Sequence, residues 1–392
     1  AAANRFMKHL AARMTAIQPF HVMALLARAR ELEATGRSIV HMEIGEPDFV
    51  TPQPVIEAGM QALAEGRTHY TPAVGLPALR ERISDFYAGR YGVEVAPQRI
   101  VITPGASAAL QLVMAVLVNP GDAVLMADPG YPCNRNFVYL LNGEPLGIPV
   151  DASTQYQPDV QQVRAAWRDN VRALLVASPS NPTGTLLGPE ALRALYAEVA
   201  ARDASLVVDE IYHGLTYDAP AVTALSVSDD IFIINSFSKY FGMTGWRLGW
   251  LVAPEDVVPE IDKLAQNLFL AAPTLAQYAA LTAFEPQNIA ILEERREVFQ
   301  QRRDYLLPAL RELGFRIPTT PGGAFYLYAD CSRFTDDSYA FSQQLLEDAG
   351  VAITPGIDFG VHNPEQHVRF AYTTSLENLQ EGVRRLRTFV GG

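Results

Sequence analysis

The chain has 392 residues, 49% of them hydrophobic and 19% charged, and carries a net charge of −12. That balance excludes a disordered chain, and the acidity argues against nucleic acid or an anionic membrane as the main partner. The longest apolar stretch, Ala108 to Val118, is too short to cross a bilayer, and Cys133 and Cys331 are too few for a disulfide framework or a cysteine metal site.

The length exceeds what one hydrophobic core usually serves, so two packed units are expected. No charged region followed by an apolar core opens the chain, and a reducing cytoplasm is the expected location.

Phe20 to Thr35 carries apolar residues at helical spacing (Val22, Leu25, Leu26, Ala29, Leu32), with Gly36 as the stop. Ile39 to Ile44 reads as a strand. Thr51-Pro52 offers an N-cap followed by a proline in the first helical position, opening a helix towards Ala64. The pattern then becomes regular. A helix over Leu76–Gly89 precedes a strand over Ile100–Thr103, and a helix after Gly105 precedes a strand over Ala123–Ala127. A strand over Ala173–Ala177 leads to a helix over Pro189–Ala201, then to strands over Leu206–Val208, Ile231–Asn235 and Leu248–Val252. Short apolar strands alternating with helices predict a parallel or mixed sheet covered on both faces, with ligands bound beyond the strands' C-terminal ends. A long helix over Pro286–Leu313 leads out of this unit. It is followed by a strand over Ala324–Ala329, a helix near Tyr339–Asp348, a strand over Val368–Tyr372 and a last helix. Gly-x-Gly-x-x-Gly is absent, so a nicotinamide dinucleotide site has no support.

Polar clusters fall at the ends of these strands. Thr103-Pro104-Gly105-Ala106-Ser107 joins a strand to a helix, whose free N–H groups make an anion site. Tyr131 lies just past Ala123–Ala127, where it stacks on an aromatic ligand or serves as a buried structural tyrosine. Ser178-Pro179-Ser180-Asn181-Pro182 is a turn able to aim the Asn181 amide at a ligand oxygen. Asp209 closes an apolar strand; a buried carboxylate there needs a partner, either a cationic ring nitrogen or a structural ion pair or helix cap. Tyr212 donates to a ligand oxygen or fills core space. Ser236-Phe237-Ser238-Lys239 follows the strand over Ile231–Asn235, and Arg247 stands eight residues beyond Lys239, so this stretch combines phosphate donors with one amine. Only three lysines exist: Lys8 near a terminus, Lys263 on a solvated helix face, and Lys239. Arg369 sits within an apolar strand, and either a substrate carboxylate or an internal acid must pair with it.

In this order the clusters resemble the class I/II aminotransferases of pyridoxal phosphate (PLP) fold type I. The resemblance runs from Gly45 to Arg369, and Ser-x-Ser-Lys with Arg eight residues on is its most specific piece. It implies an α/β chain: a large domain with a mixed, mostly parallel seven-stranded sheet between helices, plus a smaller α+β domain. The expected division is residues 1–48 packing with the small domain, 49–285 as the large PLP-binding domain, and 286–392 as the small domain. The resemblance further implies that Lys239 holds pyridoxal 5′-phosphate as a Schiff base and carries protons. Asp209 pairs with the ring nitrogen, Tyr212 and Asn181 bind the ring oxygen, and Tyr131 stacks on the ring. Gly105, Ala106, Ser107, Ser236, Ser238 and Arg247 hold the phosphate. Tyr70 reaches the phosphate of a neighbouring subunit, implying a homodimer with shared active sites. Arg369, with the Gly45 backbone and Asn181, grips the substrate α-carboxylate.

The implied activity is transfer of an amino group from an L-amino acid to a 2-oxo acid such as 2-oxoglutarate by ping-pong kinetics, with aspartate, alanine and aromatic donors all open. Some prokaryotic relatives that take dicarboxylates carry a lysine where Ser107 stands here. Arg13 and Arg135 are candidates for a second carboxylate site, while Ile17, Phe20 and Phe359 suit an apolar one. Another PLP reaction on the same scaffold, a C–S lyase or synthase, shares these residues. A non-catalytic ligand-binding module would be favoured by loss of Lys239, Asp209 or Arg369, and none is lost.

Overall fold

The computed structural model describes residues 9–391. Lys8, and with it the first part of the expected N-terminal segment, lies outside the described residues. In chain order the elements begin with α1 (Val22–Ala34), β1 (Val40–His41), α2 (Gln53–Ala64), α3 (Pro77–Tyr91), β2 (Ile100–Thr103), α4 (Ala106–Leu117) and β3 (Ala123–Asp128). They continue through α5 (Cys133–Leu140), β4 (Glu144–Pro149), α6 (Val160–Ala166), β5 (Val171–Ala177), α7 (Pro189–Ala200), β6 (Ser205–Asp209), β7 (Phe232–Ser236) and β8 (Gly249–Val252). After α8 (Val258–Leu268), α9 (Thr274–Ala280) and α10 (Pro286–Leu313) come β9 (Tyr326–Asp330), α11 (Ser338–Ala349), β10 (Val351–Ala352), β11 (Thr354–Pro355), β12 (His367–Ala371) and α12 (Leu376–Gly391).

Seven strands form one sheet in the order β2-β8-β7-β6-β5-β3-β4, parallel except for β8, which is antiparallel to both its neighbours. Both faces are apolar. Leu125, Leu174, Val176, Val208 and Ile233 point into one cluster, while their chain neighbours Val124, Ala173, Leu175, Val207 and Ile234 point into the other. This period-two alternation of apolar with apolar side chains is what a sheet covered on both sides requires. A second, three-stranded antiparallel sheet in the order β11-β12-β9 packs against α11, and β1, which pairs in parallel with β10, packs against α12. Among the described residues no helix is long and apolar enough to cross a membrane.

Three local readings are corrected. The periodic pattern yields six of the seven sheet strands; the seventh, β4, carries two prolines and a glycine. It is tolerated because β4 is an edge, hydrogen-bonded only to β3, where missing donors cost nothing. Thr51 does not cap α2: Pro52 is the cap residue, and the Thr51 hydroxyl donates to the Gly242 carbonyl (2.7 Å) and accepts from Trp246 Nε1 (2.9 Å). The strand expected over Ile39–Ile44 shrinks to Val40–His41. Met42 O still bonds backbone, accepting from the Ala371 N–H (2.7 Å), but from residue 43 onward the carbonyls bond side chains rather than a neighbouring strand. Glu43 O accepts from Arg369, Ile44 O from Thr373 and Gly45 O from Lys239.

Candidate active site

The antiparallel direction of β8 assembles the first part of the site. Gly249 pairs with Thr103 on one side and Ser236 on the other, so the residue two before it, Arg247, lies beside the C-terminal ends of β2 and β7. A side chain at Gly249 would come within 2.9 Å of Ala106 N, which explains the glycine: the first turn of α4 sits directly on it. The helix begins at Ala106 with Ser107 second, and Gly105 is its cap residue at φ +85°. A Cβ on Gly105 would lie 2.5 Å from Arg247 Nη2, so the guanidinium is pressed against the helix entrance. Ser236 Oγ accepts from the Ser238 N–H (2.9 Å), and both serines are buried. The first turn of α4, the Arg247 guanidinium and the Ser236–Ser238 turn thus lie side by side and form a cradle.

Next to it opens a cavity of about 330 Å³, lined among others by Tyr131, Asn181, Asp209, Tyr212, Lys239 and Arg369. Asp209 is the last residue of β6 and is buried. Its carboxylate takes one hydrogen bond, from the Ile211 N–H at 3.1 Å. Burial pushes it up to about 7, against that bond and the attraction of Lys239. Lys239 follows β7 by three residues and its Nζ donates to Gly45 O at 2.7 Å. Burial, reinforced by Arg369 and Arg247 and opposed by Glu46 and Asp209, draws its ammonium down to about 8. Lys263, by contrast, is exposed and paired with Glu260.

Arg369, in the middle of β12, is 6% exposed, and no carboxylate lies within ion-pair distance of it among the described residues. It donates to Asn181 Oδ1 (2.8 Å) and to Glu43 O (3.0 Å), while its guanidinium carbon sits 4.0 Å from the centre of the Tyr326 ring. Among the described residues an internal acid is therefore not its ion-pair partner. Gly45 must be glycine, since a Cβ there would lie 2.8 Å from the Tyr326 hydroxyl. Tyr212 Oη lies 2.8 Å from that same hydroxyl, so Tyr212 is a polar wall of the cavity rather than core filling. Tyr131 also lines it, and burial raises its phenol well above the usual range.

The expected residues thus separate into two adjoining groups, cradle and cavity, and one outlier. Tyr70 is 80% exposed and lines neither on its own chain. Of the pocket candidates, Phe20 and Phe359 line the cavity and Ile17, Arg13 and Arg135 do not; Arg135 borders a neighbouring cavity behind Tyr131 and donates to Asp358 O (3.4 Å). Several lining residues escaped the sequence reading, among them Tyr326 and Asp358. Tyr326 stood inside an apolar strand, and its hydroxyl was the available signal. Asp358, buried at 3% exposure, accepts from the N–H groups of His21 (2.6 Å) and Val22 (2.9 Å) and so caps α1 from 336 residues away, a contact no local pattern reveals.

Comparison with known proteins agrees with this arrangement. The family pattern "Aminotransferase class I and II" matches residues 37–386. A valine–pyruvate aminotransferase of Mycobacterium tuberculosis is 39% identical, over 95% of this chain and 97% of its own. The aspartate/prephenate aminotransferase of Thermus thermophilus is 35% identical, over 98% of this chain and 100% of its own. A crystal structure described as a putative aminotransferase from Silicibacter pomeroyi superposes with a TM-score of 0.90 at 43% identity, covering 97% of this chain and 99% of that one.

Proposed function

Because the chain belongs to the class I and II aminotransferases, we propose that it moves the amino group of an L-amino acid to a 2-oxo acid by ping-pong kinetics, with pyridoxal 5′-phosphate held at Lys239. The observation that carries this reading is the set of buried charges left open towards one cavity: the lone-bonded Asp209 carboxylate, the Lys239 amine and the acid-free Arg369. These residues fit the cofactor. Asp209 lacks the cation its burial calls for, and a protonated ring nitrogen is one. The cradle of Gly105, Ala106, Ser107, Ser236, Ser238 and Arg247 has the donors for its phosphate. Tyr131 would lie on the ring, and Tyr212 and Asn181 would bind its oxygen.

Bound there, the cofactor supplies a carbonyl that condenses with amines and a ring that withdraws electrons from the substrate's α-carbon. The chain's own residues do the rest. Arg369 takes the substrate α-carboxylate on its cavity side, fixed in orientation by Asn181 Oδ1 and Glu43 O. Lys239 Nζ, kept partly neutral near pH 8 by burial and its cationic neighbours, accepts the proton from the substrate Cα and later returns one. Asp209 stabilises positive charge at the ring nitrogen, and the Tyr212–Tyr326 hydroxyl pair holds a proton beside the ring oxygen.

We read residues 49–285 as the large cofactor-binding domain and 286–392 as the small one, with residues 1–48 joined to the small one through the β1–β10 pair and the packing of α1 on α11. The exposed Tyr70 supports a homodimer in which it reaches the partner's cradle. The test is a panel of amino donors against pyruvate, oxaloacetate and 2-oxoglutarate. A new amino acid is expected to form without release of ammonia, and Lys239→Ala is expected to lose turnover by ~10⁴-fold or more together with the protein-bound visible absorption band. Retention of that band in Lys239→Ala sinks the assignment.

A further inference from the structure

The cavity has a side-chain end distinct from its Arg369 end, and its composition reads directly. Val22, Met23 and Leu26 of α1 line it together with Phe20, Ile44 and Phe359. The helix carries two apolar faces. Leu25, Ala29 and Leu32 are buried in a cluster with Leu346 and Ala352, which anchors α1. Val22, Met23 and Leu26, one step round the helix, take no part in that cluster and face the cavity instead; Met23 is 53% and Ile44 38% exposed at its mouth.

The charges around this end are already committed. Lys239 and Arg369 are the only cations lining the cavity among the described residues, and both are engaged in the chemistry described above. Both oxygens of Asp358 are taken by the N–H groups opening α1. The Glu43 carboxylate is paired with His41 at 2.6 Å. Glu46, exposed at the mouth, has no ion-pair partner among the described residues, so a second substrate carboxylate would meet an apolar wall and a negative rim.

We infer that this end of the cavity is a subsite for apolar side chains, so that the donors are aliphatic or aromatic amino acids rather than dicarboxylic ones. The inference rests on the aminotransferase reading above. Met23→Arg, at an exposed helical position, puts a cation where the subsite lacks one and is expected to open it to dicarboxylates.

The test uses the holoenzyme in single-turnover half-reactions, which need no acceptor and are followed by loss of the visible cofactor band. Leucine, methionine and phenylalanine are compared with aspartate and glutamate. The apolar donors are expected to exceed aspartate by ~10²-fold in second-order rate, the scale on which an unpartnered buried charge is rejected. Calorimetric binding of the inert acids 4-methylpentanoate and succinate is expected to rank them in that order, and Met23→Arg is expected to cut the leucine:aspartate ratio by ~10-fold. Faster reaction with aspartate or glutamate than with leucine overturns the subsite while leaving the aminotransferase intact. An unchanged band with every amino acid overturns the aminotransferase reading itself.

Discussion

Helix α10 and the floor of the cavity both bury arginines, and they treat them differently. Arg302 and Arg303, 5% and 3% exposed, each reach an acid: Arg302 grips both oxygens of Asp48 at 2.8 and 2.9 Å, and Arg303 bonds Asp218 at 2.9 Å and Asp304 at 3.0 Å. Arg99, also buried, pairs with Asp229 at 3.2 Å. Arg369 is buried to the same degree and has only neutral oxygens. A buried charge is tolerated when it is paired, so the paired arginines are finished pieces of structure. On the proposed reading, the unpaired one, together with Asp209 and Lys239, takes its counter-charge from the ligand. Burial alone does not mark a functional charge; burial without a counter-charge does.

Exchanging the two kinds of arginine for methionine tests that contrast most strongly. Arg369→Met is expected to lower kcat/KM by ~10²–10³-fold, the loss of two charge-assisted hydrogen bonds to a carboxylate, with little effect on unfolding. Arg303→Met is expected to do the reverse. It lowers stability by about 2–3 kcal/mol through lost bonds to Asp218, Asp304 and Pro321 O, and leaves the kcat/KM of the folded fraction unchanged. Urea melts and steady-state kinetics on both variants decide it; the opposite ranking removes the distinction.

Asp209 sharpens the same point from the acidic side. Its carboxyl is raised from 3.8 to about 7, so the folded state holds a proton there that the unfolded chain releases. Stability therefore falls as pH rises from about 4 to 7, and above 7 the full penalty is present. Asp209→Asn is expected to stabilise the cofactor-free protein by roughly 2–4 kcal/mol at pH 8, with the gain vanishing towards pH 4 and activity lost throughout. A cofactor-free variant no more stable than the parent at pH 8 means that Asp209 is satisfied within the fold.

Legibility followed the range of the physics. The alternation of apolar strands and helices, and the polar residues closing β2, β6 and β7, were readable because each is a local pattern at a strand end. Strand β4 was hidden by its prolines, because only its position at the sheet edge makes them harmless. The shortening of β1 was hidden because the carbonyls of residues 43–45 bond side chains from residues 239, 369 and 373. Asp358 capping α1 is of the same kind. Whether Arg369 meets an internal acid was undecidable until β12 was packed, since both answers fit the sequence His367-Val368-Arg369-Phe370.

Lys239 offers the finest test, because its effect is graded rather than lost outright. Burial draws its ammonium from 10.5 down to about 8; Arg369 and Arg247 push the same way, and Glu46 and Asp209 resist. The unfolded chain therefore binds a proton here between about 8 and 10.5 that the folded chain does not, so this group's contribution to stability rises with pH across that window and is lost as pH falls through 8. Reactivity follows the neutral amine. In the cofactor-free protein, reductive methylation by formaldehyde with dimethylamine–borane as the hydride donor, mapped by peptide mass, is expected to rise about tenfold per pH unit up to about 8 at Lys239 and then flatten. Formaldehyde and dimethylamine–borane are both uncharged, so no charge on a reagent distorts the profile. In Arg369→Met one repelling cation is gone, and the plateau is expected to move to higher pH. A Lys239 rate that keeps climbing to pH 10 shows an ordinary lysine, and an unmoved plateau in Arg369→Met shows that the two cations do not share the cavity's field.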